Sequence, residues 1–222
     1  MENVLRKHGT LWSQASFLMT ALLGFLMLAA AIGATYWANN YTLAHASNKV
    51  TDMLLDNIPT INVNFIFSEG AITFVIIVAA LLLYEPKRIP FALKMMAIFI
   101  AIRSVFLILT HIAPPDHASF IDTTDYIYKI SSGDDLFFSL HTGLPFLLAT
   151  AFWNDKYLKY FFLVSTLIGA TSVLLGHLHY SIDVFSAPFI AFGVFHISRW
   201  FFKKDYKLFS APLTTANNHV VG

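Results

Sequence analysis

Six apolar stretches dominate the chain, at residues 15–38, 65–84, 91–111, 136–153, 158–175 and 184–202. Each approaches or exceeds the roughly 20 residues that a helix needs to cross a hydrocarbon layer about 30 Å thick. Lipid offers nothing to hydrogen-bond a peptide group, so such spans must be helices or a closed barrel, and these lengths suit helices. Composition agrees. Hydrophobic residues make up 57% of the 222 and charged residues 12%, against about 25% charged in a soluble domain. The expectation is an all-α integral membrane protein with six transmembrane helices. Residues 1–207 form a single membrane domain, and 208–222 a flexible cytoplasmic tail.

The first stretch follows Arg6 and Lys7 and precedes Ala44-His45-Ala46, which together imitate a secretory signal. It is longer than the 7–15 residues or so of a typical signal core. It therefore reads as an uncleaved first helix, with cleavage as the alternative. A net charge of +1 creates no field that would attract nucleic acid. The absence of cysteine excludes disulfides and thiolate metal sites.

Charge placement predicts orientation. Arg6, Lys7, Lys87, Arg88, Lys156, Lys159, Arg199, Lys203, Lys204 and Lys207 fall on one side. Asp52, Asp56, Asp116, Asp122, Asp125, Asp134 and Asp135 fall on the other, with Lys49 and Lys129. Basic flanks favour the cytoplasm, so both termini should be cytoplasmic. The acidic loops should then face the periplasm, lumen or cell exterior. The basic cluster at Lys203, Lys204 and Lys207 reads as an orientation anchor.

Ionisable residues near span ends on one membrane face point to a site at the outer membrane–water interface. They are Arg103, His111, Asp134 with Asp135, the run Ser139-Leu140-His141-Thr142, and the run from His177 to Asp183. His179 and Asp183 are four residues apart and share a face if a helix begins there. The carboxylate can fix one imidazole tautomer and leave the other nitrogen free to attack an electrophile. His141 can supply a proton to a leaving group. Ser139, Thr142 and helix-terminal N–H groups can hold an anion, with Arg103 adding positive charge. The plainer readings are a helix cap with an interfacial ion pair for His179 and Asp183, and a structural ion pair for Arg103. A metal held by His177, His179 and Asp183 is disfavoured, because residues two apart do not share a helix face.

These runs resemble the signatures of sphingomyelin synthases. Residues from Gly133 to Thr142 are similar to the third signature, Cys-Gly-Asp-x-x-x-Ser-Gly-His-Thr. His179-Tyr180-Ser181-Ile182-Asp183-Val184 is similar to the fourth, His-Tyr-Thr-x-Asp-Val. Arg103 with Thr110 and Pro114 resembles the second, and Asp56-Asn57-Ile58-Pro59 the first. The resemblance covers about residues 50–202. It implies the lipid phosphate phosphatase and phosphotransferase superfamily, with an outward-facing site. It also implies His179 as a nucleophile forming a phosphohistidine, Asp183 as its orienting partner and His141 as the acid and base. Arg103, Asp135, Ser139, Thr142 and Tyr180 would contact substrate or phosphate, with no metal and no cofactor.

Leu140 departs from the family glycine. Met96 and Val173 stand where the phosphatase branch carries a Lys and an Arg. The implied activity is head-group transfer from a phospholipid donor to a lipid acceptor of ceramide or diacylglycerol type. The alternatives are a lipid phosphate phosphatase and a non-catalytic transporter or scaffold. A transporter usually places its ionisable groups near the midplane, whereas these cluster at one interface.

Overall fold

The computed structural model describes residues 2–115 and 137–211. Asp135, most of the acidic loop that precedes it, and tail residues 212–222 lie outside the described residues. Nine α-helices are described: α1 (Glu2–Trp12), α2 (Ala15–Ala44), α3 (Asn64–Phe67), α4 (Glu69–Tyr84), α5 (Ile89–Leu109), α6 (Leu140–Ala151), α7 (Lys156–Leu175), α8 (Ser181–Phe201) and α9 (Lys203–Ser210). Short 3₁₀ turns occupy Leu55–Asn57 and Pro86–Arg88.

Five helical segments are long and apolar enough to cross a membrane: Ala15–Ala44, Asn64–Tyr84, Pro86–Leu109, Lys156–Leu175 and Ser181–Phe201. Six such spans were expected. The remaining stretch contributes α6, an apolar helix of 12 residues. At 1.5 Å per residue that is about 18 Å, short of the hydrocarbon thickness. Part of the reason lies in residues 137–139, which are not helical. Phe138 and Ser139 are fully buried. The Phe138 carbonyl accepts a hydrogen bond from Arg103 Nε at 3.2 Å, and the Ser139 N–H donates to the Asp183 carbonyl at 3.1 Å. Non-helical backbone inside a membrane protein is tolerated where protein groups satisfy it in this way.

Small residues let the helices close up. The buried face of α2 carries Ala21, Gly24, Ala31 and Ala38. A Cβ on Gly24 would lie 3.1 Å from Leu93 Cβ of α5. Hydroxyls add polar links along this contact. Thr35 Oγ1 meets Ser104 Oγ at 2.8 Å, and Thr42 Oγ1 donates to the Leu107 carbonyl at 3.0 Å. Small residues and hydroxyls at the seam are what close helix packing in lipid requires.

The helices run up and down, which sorts the connections onto two ends. At one end the Ser47 N–H donates to the His111 carbonyl and the Ile61 N–H to the Leu175 carbonyl. The connections 45–63, 110–115 and 176–180 therefore meet there. At the other end Lys7 pairs with Glu85, and Arg88 lies over the rings of Phe152 and Phe209. Helices α1 and α9 lie at this second end and were read from sequence only as basic flanks. Asp205 of α9 accepts from Lys94 of α5 at 2.6 Å and from Thr20 Oγ1 at 2.9 Å, and Phe209 is buried. Helix α9 is thereby tied to the bundle.

Candidate active site

The turn between α7 and α8 sets the first half of the site. Helix α7 ends with the Gly176 N–H bonded to the Ser172 carbonyl. The chain then reverses through His177, whose φ is 52°, a left-handed conformation. The N–H of Leu178 returns to the Val173 carbonyl at 2.9 Å. Tyr180 is the N-cap of α8, with φ −65° and ψ 155°. Asp183, three residues on, accepts the Tyr180 N–H through Oδ2 at 3.2 Å. The same Oδ2 lies 3.5 Å from His179 Nδ1. At that distance no hydrogen bond forms, and His179 Nδ1 has no hydrogen-bond partner among the described residues; contacts of this kind in active sites commonly tighten only with substrate bound. Both side chains are buried. With Nδ1 nearest the carboxylate, Nε2 is the ring nitrogen turned away from it.

The start of α8 is held from a distance by a residue that sequence reading left among the outer acids. Asp52 Oδ2 accepts the Ser181 N–H at 2.6 Å. Its Oδ1 accepts the N–H groups of Leu54 and Leu55 at 2.9 and 3.2 Å. Burial raises the Asp52 pKa, but hydrogen bonds from Ser181, Leu55 and Leu54 outweigh it and leave the carboxyl below its ordinary value. Tyr180 reinforces the same junction. Its hydroxyl donates to the Ala113 carbonyl at 2.9 Å and accepts the Val50 N–H at 3.3 Å. The residue predicted to contact substrate, Tyr180, therefore also ties the 45–63 and 110–115 connections to the His179 turn.

The second half of the site is the start of α6. Ser139 is its N-cap, and the Ser139 N–H bond to the Asp183 carbonyl fastens it to α8. Ser139 and Thr142 are buried, and neither hydroxyl has a hydrogen-bond partner among the described residues. First-turn N–H groups of a helix lack intrahelical partners. Two unpartnered hydroxyls thus adjoin a natural anion position. Arg103 reaches this segment through Phe138.

His141 sits in the first turn of α6. Its ring stacks on Phe67 with centroids 4.2 Å apart. Its Nε2 lies 3.3 Å from the Phe67 carbonyl. A carbonyl can only accept, so Nε2 carries the proton in this contact. Behind His141, Gly169 of α7 approaches so closely that a Cβ there would fall 2.2 Å from the His141 carbonyl oxygen. Neither Phe67 nor Gly169 was singled out from sequence; no motif spacing marks them.

Two cavities lie at these elements, one against His141 and one against the His177–Tyr180 turn. An apolar groove of about 520 Å³ runs between α4, α6 and α7, with Phe65, Phe74, Leu144, Phe161 and His141 in its wall. A polar pocket of about 430 Å³ is lined by Lys49, Asp52, Asp56, Thr60, His177 and Tyr180, among others. Among the described residues no cluster of three or more His, Cys, Asp or Glu side chains is placed to hold a metal ion.

The structure thus gathers Arg103, Ser139, His141, Thr142, His179, Tyr180 and Asp183 at one end of the bundle. His111 lies apart, against Tyr41 and His45. A family model described as PAP2 superfamily C-terminal matches residues 133–200. That segment carries both histidines, Asp183 and helices α6 to α8. The match supports the lipid phosphate phosphatase and phosphotransferase superfamily in general, without selecting a branch. No curated protein and no solved structure matches the chain.

Proposed function

We propose that the protein is a membrane enzyme that moves the phosphorylated head group of a phospholipid onto the hydroxyl of a lipid acceptor, through a phosphohistidine at His179. The observation that carries this reading is the pair of buried hydroxyls at the start of α6 that have no partner among the described residues, beside the His179–Asp183 pair. Buried polar groups without partners are costly, and a phosphate placed there would satisfy both.

In the first step His179 Nε2 attacks phosphorus. The P–N bond forms, the P–O bond to diacylglycerol breaks, and His141 gives its proton to the departing oxygen. In the second step His141 takes the proton from the acceptor hydroxyl, the new P–O bond forms and the P–N bond breaks. The groove that carries His141 in its wall is apolar enough to take the acyl chains of both alcohols. Asp183 sets the His179 tautomer, and Arg103, Ser139, Thr142 and first-turn N–H groups hold the phosphate charge.

A diester carries one negative charge, and a monoester about 1.5 to 2 at neutral pH. Met96 and Val173, the two positions that would supply further cations, are buried in apolar clusters. This favours the diester. Hydrolysis is the second reading, because the polar pocket beside the His179 turn could admit water as the acceptor.

The proposal further sets both termini in the cytoplasm and the site on the opposite face. The chain has no native cysteine, and Met53 is 80% exposed on the site end. A cysteine at Met53 should be labelled by an impermeant reagent from outside; labelling only from the cytoplasm overturns the orientation. For the activity, purified protein is incubated with mixed phospholipids, ceramide and diacylglycerol, and products are read by mass spectrometry. A new lipid carrying the donor head group is expected. Inorganic phosphate from monoesters with no lipid-to-lipid transfer selects the phosphatase, and no product from any mixture selects a scaffold or transporter.

A further inference from the structure

The proposed reaction uses His141 and His179 and leaves a third histidine unexplained. His177 is 5% exposed, and its Nε2 has no hydrogen-bond partner among the described residues. Its φ of 52° is uncommon and strained for a residue with a side chain. Glycine would adopt this conformation at no steric cost. A turn that served only to reverse the chain would be better built with glycine. The side chain instead lines the polar pocket, with Asp56, Lys49 and Thr60 in the same wall. That pocket, about 430 Å³, far exceeds the roughly 30 Å³ that one water molecule occupies. It is therefore larger than delivery of a hydrolytic water requires.

We infer that this pocket is the head-group site, and that His177 and Asp56 accept hydrogen bonds from the N–H or O–H groups of the polar alcohol that stays on phosphorus. The inference rests on the transfer reaction proposed above. It divides the substrate between the two cavities: lipid alcohol in the groove beside His141, head group in the pocket beside His177. It also ranks donors. A head group with hydrogen-bond donors, such as ethanolamine, fits the acceptors of this wall. A trimethylated or methyl head group leaves them unpaired.

The test measures kcat/KM for phosphatidylethanolamine, phosphatidylcholine and phosphatidylmethanol with the same acyl chains and detergent. The wild type should prefer the ethanolamine donor over the methyl donor by about tenfold or more, the worth of one hydrogen bond to a buried group. His177→Gly relieves the strained φ, so it should unfold at the same or a higher temperature than the wild type. It should nevertheless lose about tenfold more on the ethanolamine donor than on the methyl donor. His177→Asn, which tolerates this backbone and keeps an acceptor, should retain most of the preference. An unchanged donor ratio in His177→Gly, with wild-type transfer intact, overturns the head-group site alone. A wild type inert on all three donors removes both the inference and the reaction beneath it.

Discussion

Helices α6 and α8 both begin at the same end of the molecule, and their N-termini are finished in opposite ways. At α8 the protein fills the anion position itself. Asp52 takes the Ser181 N–H and Asp183 takes the Tyr180 N–H. At α6 the cap is a serine whose hydroxyl, like that of Thr142, has no partner among the described residues. A helix N-terminus attracts negative charge wherever it occurs. A terminus already satisfied by carboxylates is structural; one left with polar groups waiting is a candidate for a ligand. Here the closed terminus holds the proposed nucleophile in place, and the open one is where the phosphate is proposed to sit.

The two ends should respond differently to substitution. The largest effects are expected at the reacting pair. His179→Ala should abolish turnover in a folded protein. Asp183→Asn should lower kcat by about 10⁴-fold, by analogy with a mis-set tautomer in a related orienting role. Near-normal turnover by folded His179→Ala sinks the mechanism. Next come the open-terminus hydroxyls. Ser139→Ala and Thr142→Val should each reduce kcat/KM about tenfold to a hundredfold, the loss of one hydrogen bond to a charged group. Neither should lower the unfolding temperature, since replacing an unpartnered buried hydroxyl by an apolar group of similar shape is close to neutral. A fall in stability without a fall in activity would make these hydroxyls structural.

A loss no larger than this is expected behind the open terminus. Gly169→Ala forces α7 away from the His141 carbonyl. Displacement of about 1 Å can cost up to about 10²-fold, read here as kcat falling more than KM rises. The smallest effect belongs to the closed terminus. Asp52→Asn keeps one acceptor oxygen but removes the charge at the start of α8, which should cost about 0.3–1 kcal/mol of stability, with little change in donor preference. The sign with pH follows from the lowered Asp52 pKa. Its contribution is complete well above the ordinary value of 3.8 and disappears as pH falls through the lower folded-state value. Unfolding temperatures of wild type and Asp52→Asn should therefore differ at neutral pH and converge in strong acid.

Legibility followed sequence distance. The nearness of His179 and Asp183 was readable because they lie within five consecutive residues, although the helix begins only at Ser181 and leaves His179 just ahead of its cap, Tyr180. The bundle's apolar helices were readable because each announces itself by composition. Asp52 was not, because it caps a helix that begins 129 residues later. Gly169 matters only through the backbone of a neighbouring helix, and nothing in its own surroundings in the chain marks it. The shortness of α6 was hidden for a related reason. The apolar run that includes Phe137 and Phe138 looks like a span, but Phe138 is buried and its carbonyl holds Arg103. Helices α1 and α9 escaped because they are polar and short, 11 and 8 residues, and their docking depends on partners such as Glu85 and Lys94 elsewhere in the chain.

The central claim is that His179 carries the head-group phosphate between donor and acceptor. It is tested most directly in His141→Ala protein with a phosphodiester bearing an activated leaving group, which departs without a proton from His141. Without that base the second step should stall, and the covalent intermediate should accumulate. Peptide mass spectrometry should then find the head-group phosphate mass on His179. An acceptor lipid that turns over normally with no adduct on His179, or an adduct on another residue, would contradict the account.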